Sequence, residues 1–316
     1  MLKIFVVVLN WNRADDTNAC LDSIEKLVIP RSKIHLEIVV VDNASVTDSL
    51  IKIKKHLKKD LRSTLIVNKE NLGFAGGNNV GITYSLNRGA DYIMVLNNDT
   101  RLAPTSLAKL VDVAEKYSDF GAASPKIYFE KGYEFHKKRY KREDLGKVIW
   151  YSGGEIDWGN VYGKTRGVDE VDGGQYDTME KTDYATGTCM FIRAKVLKDV
   201  GLFDEKYFMY YEDTDLSMRL IKSGYGVFYV PSSVIWHKVA QSSGIGGDLN
   251  DYFITRNRLL FGIKYAPLRS KIALIKESLR FTISGRKWQR TGVHDFYLRK
   301  LERGSWPLAR KENEKS

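Results

Sequence analysis

The stretch Asp91-Tyr92-Ile93-Met94-Val95-Leu96-Asn97-Asn98-Asp99-Thr100 decides the fold. It begins as an unbroken apolar run of β-forming residues, the pattern of a buried strand. It then breaks into two amides and a carboxylate. A hydrophobic strand that delivers polar side chains at its C-terminal end is how open α/β sheets build ligand sites. One carboxylate flanked by amides offers hard oxygen donors, suited to Mg²⁺ or Mn²⁺ holding phosphates. A plain strand running into an Asn/Asp turn has the same composition, so the surrounding chain has to decide between them.

Upstream the pattern repeats. Residues 3–9 predict a buried strand ending in Asn10-Trp11-Asn12, and residues 17–27 a helix with Ala19, Leu21, Ile24 and Leu27 on one stripe. A second strand over 36–41 ends in Asp42-Asn43-Ala44-Ser45 and feeds a helix over 47–57. A third, over 64–67, opens into Asn71-Leu72-Gly73-Phe74-Ala75-Gly76-Gly77-Asn78-Asn79, and a helix over 80–88 leads to the opening strand. The order β-α-β-α-β-α-β is an α/β fold with a mainly parallel sheet flanked by crossover helices. Its carboxyl edge places Asn10, Asp42, Asn71 and Asp99 along one crevice.

Downstream, residues 104–117 predict a helix, with Pro104 tolerated in its first turn. Residues 131–182 are rich in Gly, Tyr and charge, and read as an irregular, partly β excursion. A strand over 183–192 is kinked at Thr186-Gly187-Thr188. Helices follow over 194–200 and 213–223, ended by Gly201 and Gly224. Two short strands, 227–230 closed by Pro231 and 234–237, lead to a Ser/Gly-rich loop. From Arg256 the chain reads as helical and basic. The expected division is an α/β domain over 1–261 and a basic helical extension over 262–316.

Composition narrows the class. Of 316 residues, 43% are hydrophobic, enough for a sizeable core. Cys20 and Cys189 sit among apolar neighbours and read as buried thiols, a usage that fits a reducing compartment. No apolar run approaches the ~20 residues of a spanning helix, so a cytoplasmic protein, soluble or peripheral on the inner membrane face, is expected. The net charge is +11, and from Gly262 onward 14 Lys and Arg stand against 5 Asp and Glu. There Lys264, Arg269, Lys271, Lys276 and Arg280 interleave with Leu268, Ile272, Ile275 and Leu279 at helical spacing. Such a helix suits an anionic membrane surface, or else packs its stripe on the domain. No nucleic-acid motif is present, and no nucleic-acid partner is expected.

Four constellations carry chemistry. The glycines of Gly73-Phe74-Ala75-Gly76-Gly77-Asn78 read as a loop before a helix N-terminus, which lets backbone approach a phosphate or ribose. The spacing differs from the dinucleotide fingerprint. Asp42 is placed either to accept a hydrogen bond from a base imide or to cap the next helix, and Ser45 is an equal cap candidate. In Phe203-Asp204-Glu205-Lys206-Tyr207-Phe208-Met209-Tyr210-Tyr211-Glu212-Asp213-Thr214-Asp215, aromatic residues surround acids at a helix start. Desolvation by aromatic walls raises carboxylate basicity, beyond the simple complement to a helix dipole. His237 ends an apolar strand returning toward the same edge, where an imidazole serves beside a carboxylate and phosphate oxygens.

Taken in order, these segments resemble family-2 glycosyltransferases of the GT-A type, in the bacterial rhamnosyltransferase-like branch. The resemblance covers roughly residues 3–260. It is carried by Val8-Leu9-Asn10-Trp11-Asn12, Val41-Asp42-Asn43-Ala44-Ser45, Asn71 to Asn78, and Leu96-Asn97-Asn98-Asp99. It continues through Thr186-Gly187, Gly201-Leu202-Phe203-Asp204-Glu205, Tyr211-Glu212-Asp213-Thr214-Asp215, His237 and Arg256-Asn257. The resemblance implies a GT-A fold that binds a dTDP- or UDP-linked sugar. Asn10, Asn12, Asp42, Asn71, Gly73, Gly76, Gly77, Asn78, Asn97 and Asn98 would stand on the nucleotide-sugar side, with Asp42 at the pyrimidine. Asp99 and His237 would hold Mg²⁺ or Mn²⁺. Asn97 replaces the first acid of the family's Asp-x-Asp motif. Asp213, beside Glu212, would be the catalytic base, with Tyr210, Tyr211 and Asp215 facing a glycan or lipid-linked acceptor. The implied reaction is inverting transfer of a sugar, with rhamnose the branch's example, in cell-surface polysaccharide synthesis. A sugar-phosphate nucleotidyltransferase would carry a Gly-rich loop straight after the first strand, where Asn10-Trp11-Asn12 stands. A non-catalytic nucleotide-sugar-binding protein would need no Glu212-Asp213 pair.

Overall fold

The computed structural model describes residues 1–30, 32–57, 62–239 and 247–307. Most of the Ser/Gly-rich loop after His237 and the charged tail after Pro307 lie outside these. The first half alternates as the apolar runs demand: β1 (Leu2–Asn10), α1 (Ala14–Glu25), β2 (Ile34–Asp42), α2 (Thr47–Leu57), β3 (Ser63–Val67), α3 (Gly73–Asn87) and β4 (Tyr92–Asn97). Then come β5 (Thr100–Leu102), α4 (Ser106–Lys116), β6 (Phe120–Phe129), β7 (Ile149–Tyr151), β8 (Gly154–Asp157), β9 (Tyr162–Thr165), β10 (Glu180–Lys181) and β11 (Cys189–Arg193). The chain closes through α5 (Val196–Val200), α6 (Glu212–Lys222), β12 (Gly226–His237), α7 (Asp248–Tyr265), α8 (Leu268–Ser284) and α9 (Lys287–Tyr297).

Among the described residues the main sheet has ten strands, and its principal path runs β10-β12-β6-β11-β4-β1-β2-β3. The half from β4 to β3 is parallel. β11 inverts the direction, running antiparallel to both β4 and β6, and β12 lies parallel to β6. Val6, Val8, Ile38, Val40 and Met94 face one buried layer; Val7, Val39, Val41 and Val95 face the other. Burial on both faces explains why these strands read as continuous apolar runs.

Two expectations are corrected, and one strand lies outside the pattern. The glycine-rich segment is no loop: α3 begins at Gly73 and absorbs it, so the helix expected over 80–88 starts seven residues earlier. β12 is one strand, not two, because a register shift between Val230 and Val234 carries it past Pro231. β6, in the middle of the sheet, had no counterpart in the pattern; Ser124-Pro125-Lys126 interrupts its apolar run. The α7 helix runs unbroken across residue 261.

Candidate active site

The end of β4 meets the end of β12 through β5. After Asn97 the chain turns at Asn98-Asp99 and re-enters the sheet as β5, whose Thr100 pairs with His237. The Lys238 amide donates to the Asp99 carbonyl at 2.8 Å. This register brings His237 Nε2 to 3.1 Å from Asp99 Oδ1, uniting an acid and an imidazole 138 positions apart in sequence. Trp150 packs edge-on against the imidazole, with centroids 4.7 Å apart. Asp99 Oδ1 and His237 Nδ1 are buried without a hydrogen-bond partner. The 3.1 Å approach therefore lacks hydrogen-bond geometry and leaves Asp99 Oδ1 uncommitted beside Nε2, while Nδ1 lies on the other side of the ring. That arrangement fits a hard divalent cation. Among the described residues no three His, Cys, Asp or Glu side chains gather to hold a metal by themselves, so phosphate oxygens or water would have to complete the coordination.

Next to it lies an amide-carboxylate network. Asn10 pairs in register with Asp42, and its Nδ2 donates to Asp42 Oδ2 at 2.7 Å. The Ser45 amide donates to Asp42 Oδ1 at 2.9 Å. Asp42 is fully buried, and its carboxylate closes the turn from Asp42 to Ser45, ahead of the α2 start at Thr47. Asn10 Oδ1 accepts from Thr17 Oγ1 at 2.8 Å, and Thr17 Oγ1 accepts from Asn98 Nδ2 at 2.9 Å. Asn12 braces the same turn: its amide donates to Ser45 Oγ, and its Oδ1 accepts from the Val46 amide. The strand ends Asn10, Asp42 and Asn98 thus form one connected edge.

The glycines of α3 serve packing. A Cβ on Gly77 would stand 2.6 Å from Leu9 Cδ1, and one on Gly81 would stand 2.4 Å from Val7 Cγ1, so these glycines let α3 lie close on β1. Gly73, at φ +72°, faces the Phe208 carbonyl and ring, with no room for a Cβ. Gly76 is similarly close to Leu72. The first helical amides are partly committed: Gly73 N–H donates to Asn71 Oδ1 and Ala75 N–H to the Phe208 carbonyl. Asn71 Oδ1 also accepts from Asn43 Nδ2. Asn78 turns its amide back to the Phe74 carbonyl. The expected anion-receptive glycine loop is replaced by a helix start fastened to neighbouring chain. Asn79 adds to this by bonding both the amide and the carbonyl of Phe203.

Phe208 introduces the second half of the site. Phe208, Tyr210 and Tyr211 all have positive φ, at 64°, 67° and 73°. Three non-glycine residues in this region within four positions store backbone strain, which persists only where surrounding structure enforces it. The enforcers are the fully buried Arg256 and Asn257 of α7. Asn257 Nδ2 donates to the carbonyls of Tyr207 at 2.8 Å, Met209 at 2.7 Å and Tyr210 at 2.9 Å. Arg256 Nη2 donates to the carbonyls of Lys206 and Tyr207. The strained loop ends at Tyr211, and α6 begins at Glu212.

Asp213 is half-buried in the first turn of α6. Burial raises its carboxyl above the ordinary value, against hydrogen bonds from Gly187 and Thr214 that pull it down. Gly187 N–H donates to Asp213 Oδ2 at 2.8 Å, and the next residue's carbonyl, that of Thr188, accepts from Asn97 N–H at 2.9 Å. The dipeptide Gly187-Thr188 therefore ties the candidate base to the end of β4. Glu212 is buried, with Oε2 unpartnered, and burial followed by the neighbouring Asp213 charge pushes its carboxyl well above the ordinary value.

Asp215 and Tyr211 do not face an acceptor. Asp215 is fully buried. It accepts from Arg219 at 2.8 Å, Lys264 at 2.7 Å, Tyr265 at 2.9 Å and Tyr207 at 3.2 Å. It anchors α7 to α6. Although burial alone would raise its carboxyl, Lys264 and Arg219 hold it below the usual range. Tyr211 spends its hydroxyl on the Val161 carbonyl and packs on Phe261. Tyr210 stays half-buried at the loop surface and donates to Asn250 Oδ1. A cavity of about 550 Å³ opens beside Asn12, Val46, Ser49 and Lys238. It neighbours the Asp99–His237 pair through Lys238, while Asp99, His237 and Asp213 themselves do not line it. Both cysteines are buried, and burial pushes the Cys20 thiol up to about 12, so neither belongs to the chemistry.

A parallel α/β half, an inverted strand beside it and an edge of convergent polar groups define a GT-A-type fold. The structure superposes on the mannosyltransferase PcManGT from Pyrobaculum calidifontis, solved with GDP-Man and Mn²⁺, with a TM-score of 0.56 at 17% identity. That match covers 92% of this chain and 73% of the other. GalNAc-T7, solved with UDP, GalNAc and Mn²⁺, gives a TM-score of 0.60 at 17% identity over 94% of this chain and 57% of the other. The model of glycosyl transferase family 2 matches residues 5–201, and the chain belongs to that family. A second model, glycosyl transferase family group 2, matches residues 164–301. The N-acetylglucosaminyl-diphospho-decaprenol L-rhamnosyltransferase of Mycobacterium tuberculosis is 31% identical over 159 residues, 49% of each chain. The match thus spans about half the length of that relative. The dTDP-rhamnosyl transferase RfbF of Shigella flexneri is 24% identical over 292 residues, 89% of this chain and 87% of the other.

Proposed function

We propose that this chain is an inverting glycosyltransferase that moves a sugar, rhamnose in our reading, from a dTDP- or UDP-linked donor to a hydroxyl of a glycan or lipid-linked acceptor in cell-surface polysaccharide synthesis. The observation that carries this is Asp213: a single carboxylate of raised basicity, fastened through Gly187-Thr188 to the strand end that bears Asp99. One base and no carboxylate nucleophile suits a single displacement with inversion. Asp213 takes the proton of the attacking hydroxyl. Burial and the Asp213 charge raise the Glu212 carboxyl well above its ordinary value, which favours placing the charge of the pair on Asp213. The connected edge of Asn10, Asp42 and Asn98, with the cavity beside Asn12 and Lys238, supports a nucleotide on that side. Tyr210 remains the aromatic candidate for the acceptor side.

Asp99 and His237 would hold Mg²⁺ or Mn²⁺. When bound, the cation offsets the charge that grows on the leaving diphosphate. The rhamnosyltransferase names of two relatives support the sugar. The donor and acceptor are tested together by incubating the protein with a nucleotide-sugar panel, Mg²⁺ or Mn²⁺ and candidate acceptors, and weighing the products. A product heavier by one deoxyhexose supports the reading. A nucleotide-sugar product formed from a sugar phosphate and a nucleoside triphosphate would replace it with a nucleotidyltransferase. Binding without turnover across the panel would leave a carrier protein. Among the described residues no helix is long and apolar enough to cross a membrane. We place the protein's work at the cytoplasmic face of an anionic membrane, for the reason that follows.

A further inference from the structure

α8 turns an apolar face outward. Leu268, Ile272, Ile275, Leu279 and Ile283 recur at spacings of four, three, four and four, so they fall on one side of the helix. All five are between 41% and 85% exposed. The opposite side is the one that packs: Ser270, Leu274 and Ser278 are buried. Glu277 pairs with Arg258 of α7 at 2.6 Å, and Ser278 Oγ lies 2.7 Å from the Tyr297 hydroxyl of α9. The helix is therefore held by its neighbours in the orientation that leaves its aliphatic stripe in water. The alternative in which the stripe packs on the domain is excluded.

At 100° per residue, Lys271 flanks the stripe on one side and Arg269, Lys276 and Arg280 on the other. Among the described residues no carboxylate forms an ion pair with these four. Glu277 is the only acid of α8, and it is turned inward. A row of large aliphatic side chains bordered by cations, with no acid among them, has the chemistry of a helix lying in a lipid interface. A second copy of the chain is a poor occupant, because face-to-face pairing would set the same cations against one another.

We propose that α8 docks the protein on an anionic phospholipid bilayer, with the stripe entering the acyl boundary and Arg269, Lys271, Lys276 and Arg280 meeting the headgroups. The docking stands on the α8 face and does not rest on the transfer reaction. It is measured without any sugar donor, so its failure would leave the proposed chemistry standing.

The test is co-sedimentation of the full chain with vesicles of phosphatidylcholine alone or mixed with phosphatidylglycerol, at low and high salt. The protein is expected to pellet with the anionic vesicles at low salt and to be released as salt screens the headgroups. Replacing Ile275 and Leu279 together by Asp should lower the partition coefficient at least about tenfold. Lys276→Gln with Arg280→Gln should lower it by about fivefold per cation removed. These side chains are exposed, so the variants should keep the wild-type circular dichroism and melting temperature. Protein that stays in the supernatant with anionic vesicles at low salt would overturn the proposal. So would vesicle binding that both double variants retain. Sedimentation velocity supplies a third arm: a dimer that Leu279→Asp dissociates would assign the stripe to a second copy and also overturn it.

Discussion

The Gly187 amide donates to Asp213 Oδ2 at 2.8 Å across 26 residues of chain. This bond fixes one carboxylate oxygen, while Thr214 N–H and Oγ1 fix the other. The carboxylate is thus oriented before any acceptor arrives, which is what proton abstraction in a single displacement requires. Asp213→Asn keeps the shape and loses the proposed base. Transfer should fall ~10²–10⁴-fold with donor affinity nearly unchanged. Wild-type kcat/KM should rise with pH along a limb whose midpoint lies above the ordinary aspartate value, because burial raises Asp213. The variant should lack that limb. Radiolabelled transfer against pH, with isothermal titration of the donor, checks both; a variant with near-wild-type turnover removes Asp213 from the mechanism.

Glu212 gives a stability signature. Its folded carboxyl binds a proton more tightly than the unfolded one, since burial and Asp213 both raise it. Its stabilising contribution is therefore fully present below the ordinary glutamate value of ~4.3 and is lost as pH rises toward the folded value. One such group contributes at most about 1.4 kcal/mol per pH unit. Asp213 adds a slope of the same sign. Asp215, held low, has the opposite dependence, confined to more acidic pH, so the two windows separate. Denaturant unfolding from about pH 5 upward should show wild-type stability falling, with Glu212→Gln visibly flattening the fall. Parallel curves for the two proteins would show that Glu212 ionises normally.

The Asp99–His237 pair predicts a metal-linked phenotype. Asp99→Ala and His237→Ala each remove one member of the pair whose Oδ1 and Nε2 face each other at 3.1 Å. Binding of a nucleoside diphosphate should lose its dependence on Mn²⁺, by at least the roughly 10–100-fold that disturbing a ligand's outer-shell partner costs. Metal-free nucleotide binding should change little. Titration of nucleoside diphosphate with Mn²⁺ and with chelator decides it, and an unchanged metal dependence in both variants would place the cation elsewhere.

Much of this arrangement was legible in the sequence because the parallel half is written locally. The strands β1, β2 and β4 are apolar runs buried on both faces, and each ends in the polar residues that make the edge. What escaped was set by distant chain. The α3 start is glycine-rich, which disfavours helix in isolation; its glycines are there because Leu9, Val7 and Phe208 leave no space for a Cβ. In β6 Lys126 sits inside the sheet, made tolerable by Asp172 at 2.7 Å and Asp177 at 2.5 Å, partners about fifty residues away. Asp215 looked like a site acid because its neighbours in sequence are site residues, and only the fold brings Lys264 and Tyr265 to it. Arg256-Asn257 stood out in the sequence with no role attached, because the loop they hold is nearly fifty residues earlier.

Asn257 predicts a defect that spreads from stability into catalysis. Its Nδ2 supplies hydrogen bonds to three carbonyls of a loop in which Phe208, Tyr210 and Tyr211 are strained. Removing the amide leaves buried acceptors unpaired, and each such loss costs ~1–3 kcal/mol. Asn257→Ala should therefore destabilise the protein by roughly 2–4 kcal/mol. Asn257→Asp should be no better despite its near-identical shape, because a carboxylate has no N–H to give and would face the same carbonyl oxygens. The loop leads directly into Glu212 and Asp213, so relaxation of its positive-φ residues should misplace the base. At a temperature where the variant remains folded, kcat should fall while donor KM stays near wild type, since the edge at Asn10 and Asp42, where we propose the nucleotide binds, is built from other elements. Thermal unfolding and steady-state kinetics on the same samples check this. If Asn257→Asp matched wild type in both, the strained loop would be held by Arg256 and local packing alone, and the role given to the Asn257 amide would fall.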